Sequence, residues 1–164
     1  MVRRAKKTDN RKVKNAKKLN INGLEFKSLL EAYVYNQLIE AGIDNFGYES
    51  HHFPLMQGFE FNNFSIEHFN RKDRKSKAKL KYYENVTNKI RPITYVPDFV
   101  CINEDTKEGW IIEAKGYPND SFPLKWKLFK KFLVDNGYNV SLYKPNNQEN
   151  VRKTINIIKN KYYV

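Results

Sequence analysis

The period of the apolar positions changes several times along the chain. Leu30, Val34, Leu38 and Ala41 share one helical face with Gln37, and Gly42 follows, so a helix is expected over 28–41. A strand is expected over 46–53. Residues 54–69 alternate weakly, hold several aromatics and read as strand or irregular structure. The stretch 71–84 lacks Pro and Gly and reads as an exposed helix. Residues 93–102 and 110–114 read as strands, 122–136 as a helix closed by Gly137, 138–143 as a short strand and 149–162 as a last helix. Trp126, Phe129 and Leu133 form one packing stripe, and Val151, Ile155 and Ile158 another. No internal repeat is visible. This order predicts a small α/β domain, with a mixed central sheet flanked by helices.

Charge divides the chain further. The 164 residues carry a net charge of +12, suited to one domain with a core of its own. Residues 1–18 hold nine basic side chains and one acid, and residues 71–81 hold seven and one. The other 135 residues are net −2, so two appendages carry the charge on a nearly neutral body. The expected organisation is a basic arm over 1–20 and a domain over 21–164 with an insertion at about 54–90. The arm is too polar to order itself by burial. It reads as a solvated or localisation tail, or as a contact for polyanions or a protein partner. Lysines outnumber arginines 23 to 7, which favours phosphate contacts over base reading.

Other classes recede. One cysteine excludes a disulfide framework and a Cys-rich zinc module. No apolar run approaches the roughly 18 residues of a membrane span. The opening MVRRAKKTDN lacks a signal peptide's apolar segment. The expected setting is intracellular. His51, His52 and His68 lack metal-ligand spacing and read as ordinary histidines, and Cys101 reads as a small buried hydrophobe.

Two segments place acids in apolar strands: Tyr95-Val96-Pro97-Asp98-Phe99-Val100 and Trp110-Ile111-Ile112-Glu113-Ala114-Lys115-Gly116. A carboxylate there is costly unless it is paired or binds a metal. Glu113 and Lys115 are two apart and share a strand face. Two carboxylates from adjacent strands at a sheet edge make an oxygen-ligand site for Mg²⁺ or Mn²⁺. A lysine beside it can orient water or neutralise charge on a phosphate. Acid-x-Lys occurs four times, but only Glu113-Ala114-Lys115 follows an apolar run and precedes a glycine. A structural ion pair of Asp98 and Glu113 with Lys115 remains the competing reading.

Four motifs in order, Phe26-Lys27-Ser28-Leu29-Leu30-Glu31, Tyr48-Glu49, Pro97-Asp98-Phe99 and Glu113-Ala114-Lys115-Gly116, resemble the PD-(D/E)xK nuclease superfamily. They are most similar to small phage endonucleases of the junction-resolving endonuclease I type, over roughly 24–143. The resemblance implies a restriction-endonuclease-like core and a Mg²⁺- or Mn²⁺-dependent DNA endonuclease, with branched DNA as a substrate. Glu31, Asp98 and Glu113 would be metal ligands, with Lys115 completing the catalytic set. Glu31 has a second reading, because Ser28-x-x-Glu31 is also a capping box. Asp120 and Lys125 follow at the next helix, as in the relatives. DNA would be gripped by Arg3, Arg4, Lys6, Lys7, Arg11, Lys12, Arg71, Lys72, Arg74, Lys75, Lys77 and Lys125. The chain departs from the family in the forty or so residues between its Tyr-Glu and PDF motifs. That insertion reads as a DNA clamp, or as an assembly surface of a non-catalytic component of a phage particle or nucleoprotein complex. A homo-oligomer or larger phage assembly is compatible with either.

Overall fold

The computed structural model describes residues 18–63, 65–68, 80–83, 88–116 and 119–163. The charged residues named above at positions 3–12 and 71–77 lie outside this set.

The first described element is a hairpin, β1 (Leu19–Ile21) and β2 (Leu24–Phe26). Its turn is Asn22-Gly23, with φ of 52° and 83°. Both values lie in the left-handed region, which a tight two-residue hairpin requires and Asn-Gly tolerates. The hairpin was not expected, and β1 begins inside the stretch assigned to the arm. Helix α1 (Leu29–Glu40) follows, close to expectation. The Ser28 side chain accepts from the Glu31 N–H at its start, and Gly42 at φ 78° follows its end.

The central sheet has four strands in the order β12-β11-β10-β3: Asn139–Tyr143, Glu108–Ile112, Phe99–Ile102 and Gly47–Tyr48. β11 and β12 run parallel, and the other pairs are antiparallel, so the sheet is mixed. The parallel pair is connected through α2 (Phe122–Asp135). The last helix is α3 (Gln148–Tyr162).

Alternation along β10 and β11 divides the core into two layers. Phe99, Trp110 and Ile112 pack with Val34 and Leu38 of α1 and Val151, Ile155 and Ile158 of α3. Val100 and Ile111 pack with Phe122, Phe129 and Leu133 of α2. The four residues Gly109–Ile112 of β11 are all buried, the signature of a strand covered on both faces. Gly109 is required where it stands, because a Cβ there would fall 2.0 Å from the Cys101 carbonyl oxygen.

The expected strand over 93–102 is two strands. β9 (Ile93–Tyr95) pairs with β4 (Phe53–Met56), whereas β10 pairs within the central sheet. Pro97 lies at the break and has no N–H to give a ladder. The expected strand over 46–53 breaks opposite it, after Glu49 at φ 46°. The Glu49 N–H donates to the Asp98 carbonyl at 2.8 Å and ties the two breaks together.

Beyond the breaks the insertion is a succession of antiparallel pairs. After β4 with β9 come β5 (Phe59–Phe61) with β8 (Asn88–Ile90), then β6 (Ser65–His68) with β7 (Leu80–Tyr83). Their registers nest, as in one long two-stranded ribbon. Leu80–Tyr83 therefore corrects the helix expected over 71–84, because a partner strand decides the conformation of a short mixed segment. The remainder of that expected helix lies outside the described residues.

Candidate active site

The two breaks and the end of β11 meet at one edge of the central sheet. Phe99 stands opposite Ile112, so the next step of the antiparallel register places Asp98 opposite Glu113. The Asp98 carboxylate Oδ2 accepts the Ala114 N–H at 2.7 Å, which closes the break onto the neighbouring strand. The main chain past Ile112 stays in sheet geometry: the Glu113 N–H donates to Tyr143 and the Lys115 N–H to Pro145. Glu113 and Lys115 therefore project from one face, with Lys115 Nζ 3.7 Å from Glu113 Oε1.

Glu113 is only 5% exposed, and Asp98 is partly buried. Burial, then the charges of Glu113 and Glu31, push the Asp98 carboxyl well above the ordinary carboxylate range, against the Ala114 N–H and Lys115. Burial also raises Glu113, with Glu31 adding to the rise and Tyr95 and Lys115 opposing it. This is the signature of buried carboxylates repelling one another.

Glu31 is 7% exposed, at the start of α1. Its Oε2 accepts from the Lys27 N–H at 2.9 Å and the Tyr48 hydroxyl at 2.7 Å, and its Oε1 from the Ser28 hydroxyl at 2.8 Å. The cap is thus formed, and the charge it holds is felt at Asp98 and Glu113. A carboxylate offers about four lone-pair sites, so Glu31 keeps about one free. Lys27 pairs with Glu49 beside this group, and that pairing raises the lysine's pKa against the cost of burial.

Tyr95 completes the floor. Its ring stacks on Phe129 at 4.5 Å, and its hydroxyl is buried facing Glu113. Burial and then the charge of Glu113 push its pKa up. Sequence reasoning gave no role to Tyr95, Tyr48 or Lys27. Their one signal was membership of the segments that carry the acidic motifs.

Among the described residues, no three or more His, Cys, Asp or Glu side chains are gathered into a set able to hold a metal ion. Asp98 and Glu113 oppose each other, and Glu31 is held by its cap. Lys125 is half-buried in the first turn of α2, and Asp120 is exposed before it. His51 pairs with Glu104 at 2.8 Å, and His52 is exposed. The side chain of His68 lies outside the described set. Cys101 is half-buried rather than buried, with its Sγ 3.7 Å from the Tyr163 hydroxyl. Cys101 lines a surface cavity with Asn45, Trp110 and Tyr163, which explains the difference.

Fold and site define a mixed α/β domain whose central strands end in a buried and a partly buried carboxylate beside a lysine. By sequence, residues 11–144 match the family described as a protein of unknown function, DUF1064, and the chain belongs to that family. No curated protein and no solved structure matches it. Among the described residues, no helix is long and apolar enough to cross a membrane.

Proposed function

We propose that this protein is a metal-dependent endonuclease that hydrolyses phosphodiester bonds in DNA on a PD-(D/E)xK-like core. The observation that carries this reading is the opposition of Asp98 and Glu113, raised in pKa by burial and by neighbouring negative charge, with Lys115 beside Glu113. Structural ion pairs usually lower a carboxyl pKa; here the lysine does not overcome burial and repulsion. A divalent cation would relieve that repulsion.

The donor set fits Mg²⁺ or Mn²⁺. Mg²⁺ keeps several waters and is commonly held by one or two carboxylates together with substrate phosphate oxygens. Asp98 and Glu113 would hold it, with the charge of Glu31 felt at both. When bound, the cation supplies Lewis-acid stabilisation of the phosphate and a more acidic water. Lys115 contributes a fixed positive charge toward the reacting phosphate. Tyr95 and the aromatic floor keep one side of the site dry, which strengthens each of these interactions. The basic residues at 3–12 and 71–77 and Lys125 would grip the backbone of the DNA, in a host cytoplasm or a phage particle.

Incubation with Mg²⁺ and linear, single-stranded or four-way-junction DNA tests the reading. Wild type should cleave at least one of these, and Glu113→Ala should lose at least about a hundredfold in rate. Cleavage of none, or equal cleavage by Glu113→Ala, would overturn it. A non-catalytic role in a nucleoprotein assembly would then take its place.

A further inference from the structure

The parallel pair of strands brings a second lysine to the site. Ile112 stands opposite Tyr143, so the next step places Lys144 opposite Glu113, and the Glu113 N–H bond to Tyr143 shows that the ladder still runs there. Residues opposite each other on paired strands share a sheet face. Lys144 therefore belongs to the face of Glu113 and Lys115. The side chains agree: Lys115 Nζ lies 5.1 Å and Lys144 Nζ 5.6 Å from the centroid of the same ring, Phe122 at the start of α2.

Two ammonium groups at one ring repel each other. Attraction to the ring's π face offsets part of this repulsion, and Glu113 balances Lys115. Lys144 is exposed, and none of the ion pairs among the described residues engages it. The rim of an acidic site thus holds a cation outside every ion pair among the described residues, at the same aromatic ring as the lysine assigned to the reacting phosphate. The chemistry complementary to this pair is a strand with successive phosphates.

We propose that Lys144 binds a backbone phosphate next to the linkage faced by Lys115. The substrate then extends past the reacting phosphodiester on the α2 side of the site. Lys144 is a binding residue and takes no part in the chemical step. A lysine contacts phosphate as a point charge, so the contact is indifferent to base sequence. The proposal rests on the endonuclease reading, and its test separates the two.

The test compares full-length wild type, Lys144→Gln and Lys144→Arg. Affinity for a labelled linear duplex is measured by anisotropy across a salt series with EDTA present, and cleavage kinetics are measured with Mg²⁺. Melting temperatures should be equal, because Lys144 is exposed. Lys144→Gln should weaken binding roughly fivefold on every duplex sequence and reduce the slope of log affinity against log salt by about 0.9. Its KM should rise by a similar factor with kcat within about twofold, and Lys144→Arg should restore both. A slope and KM equal to wild type in Lys144→Gln would overturn the proposal, as would a loss confined to kcat. If wild type cleaves nothing, the endonuclease reading fails, while the salt slope still decides whether Lys144 holds a phosphate.

Discussion

The central sheet and the ribbon that leaves it contain similar antiparallel pairs but put similar residues in opposite environments. In the β10–β11 pair, Phe99, Val100, Ile111 and Ile112 are covered on both faces by helices. In the β5–β8 pair, Phe59 is 49% exposed and Glu60 is open to solvent. A carboxylate at the end of the first pair has its pKa raised by burial and by its neighbours. One on the ribbon is simply solvated. The covered core creates the site; the ribbon gives it Tyr95 from its first pair and, farther out at β5 and β8, exposed surface.

The largest test of this contrast is truncation of one aromatic in each region. Phe99→Ala should cost about 3–5 kcal/mol in urea unfolding, because the ring is fully buried and the cavity has walls on both sides. Equal losses for Phe99→Ala and the ribbon variant Phe59→Ala would erase the distinction.

The next effect is a dependence on pH. Asp98 and Glu113 hold their protons to higher pH in the folded domain than in the unfolded chain. Above about pH 4, the ordinary carboxylate range, the folded state therefore binds more protons than the unfolded state. Their contribution to stability falls as pH rises through that range toward the folded-state pKa, the reverse of ordinary acid denaturation. Without metal, Asp98→Asn should therefore gain stability relative to wild type as pH rises, read from urea midpoints. A difference that shrinks over the same interval would contradict the placement of these groups.

A smaller effect tests the cap. Ser28→Ala removes the hydroxyl that both accepts the Glu31 N–H and donates to the Glu31 carboxylate. It should cost about 1 kcal/mol in the same unfolding assay. No loss would mean that Glu31 is held by Tyr48 and Lys27 alone. The smallest effect belongs to the ribbon, where Phe59→Ala should stay within about 0.5 kcal/mol of wild type.

Sequence made some of this legible. The three helices carried a 3.6-residue apolar period and clear stops at Gly42 and Gly137, so their limits came within a residue or two. Glu113 and Lys115 stood out as charges at the end of an apolar run. Polar residues, Glu49 to His52 and Asp98, did mark the breaks near Glu49 and Pro97, but the switch between sheets was hidden because it depends on distant pairing. Asn22-Gly23 was a readable hairpin signal, but only Phe26 of that hairpin is buried, so its apolar pattern is thin. Lys144 had no signal at all. Its place depends on the parallel register of β11 and β12, which no local pattern records.

The central claim is that Asp98 and Glu113 together hold a divalent cation. Calorimetric titration of Mg²⁺ or Mn²⁺ into metal-free protein tests it most directly, with the melting temperature followed alongside. Wild type should bind and melt higher with metal, since a ligand that prefers the folded state stabilises it. The double variant Asp98→Asn with Glu113→Gln should melt at least as high as wild type without metal, and should neither bind nor respond. A wild type indifferent to both ions, or a double variant that gains as much as wild type, would contradict the claim.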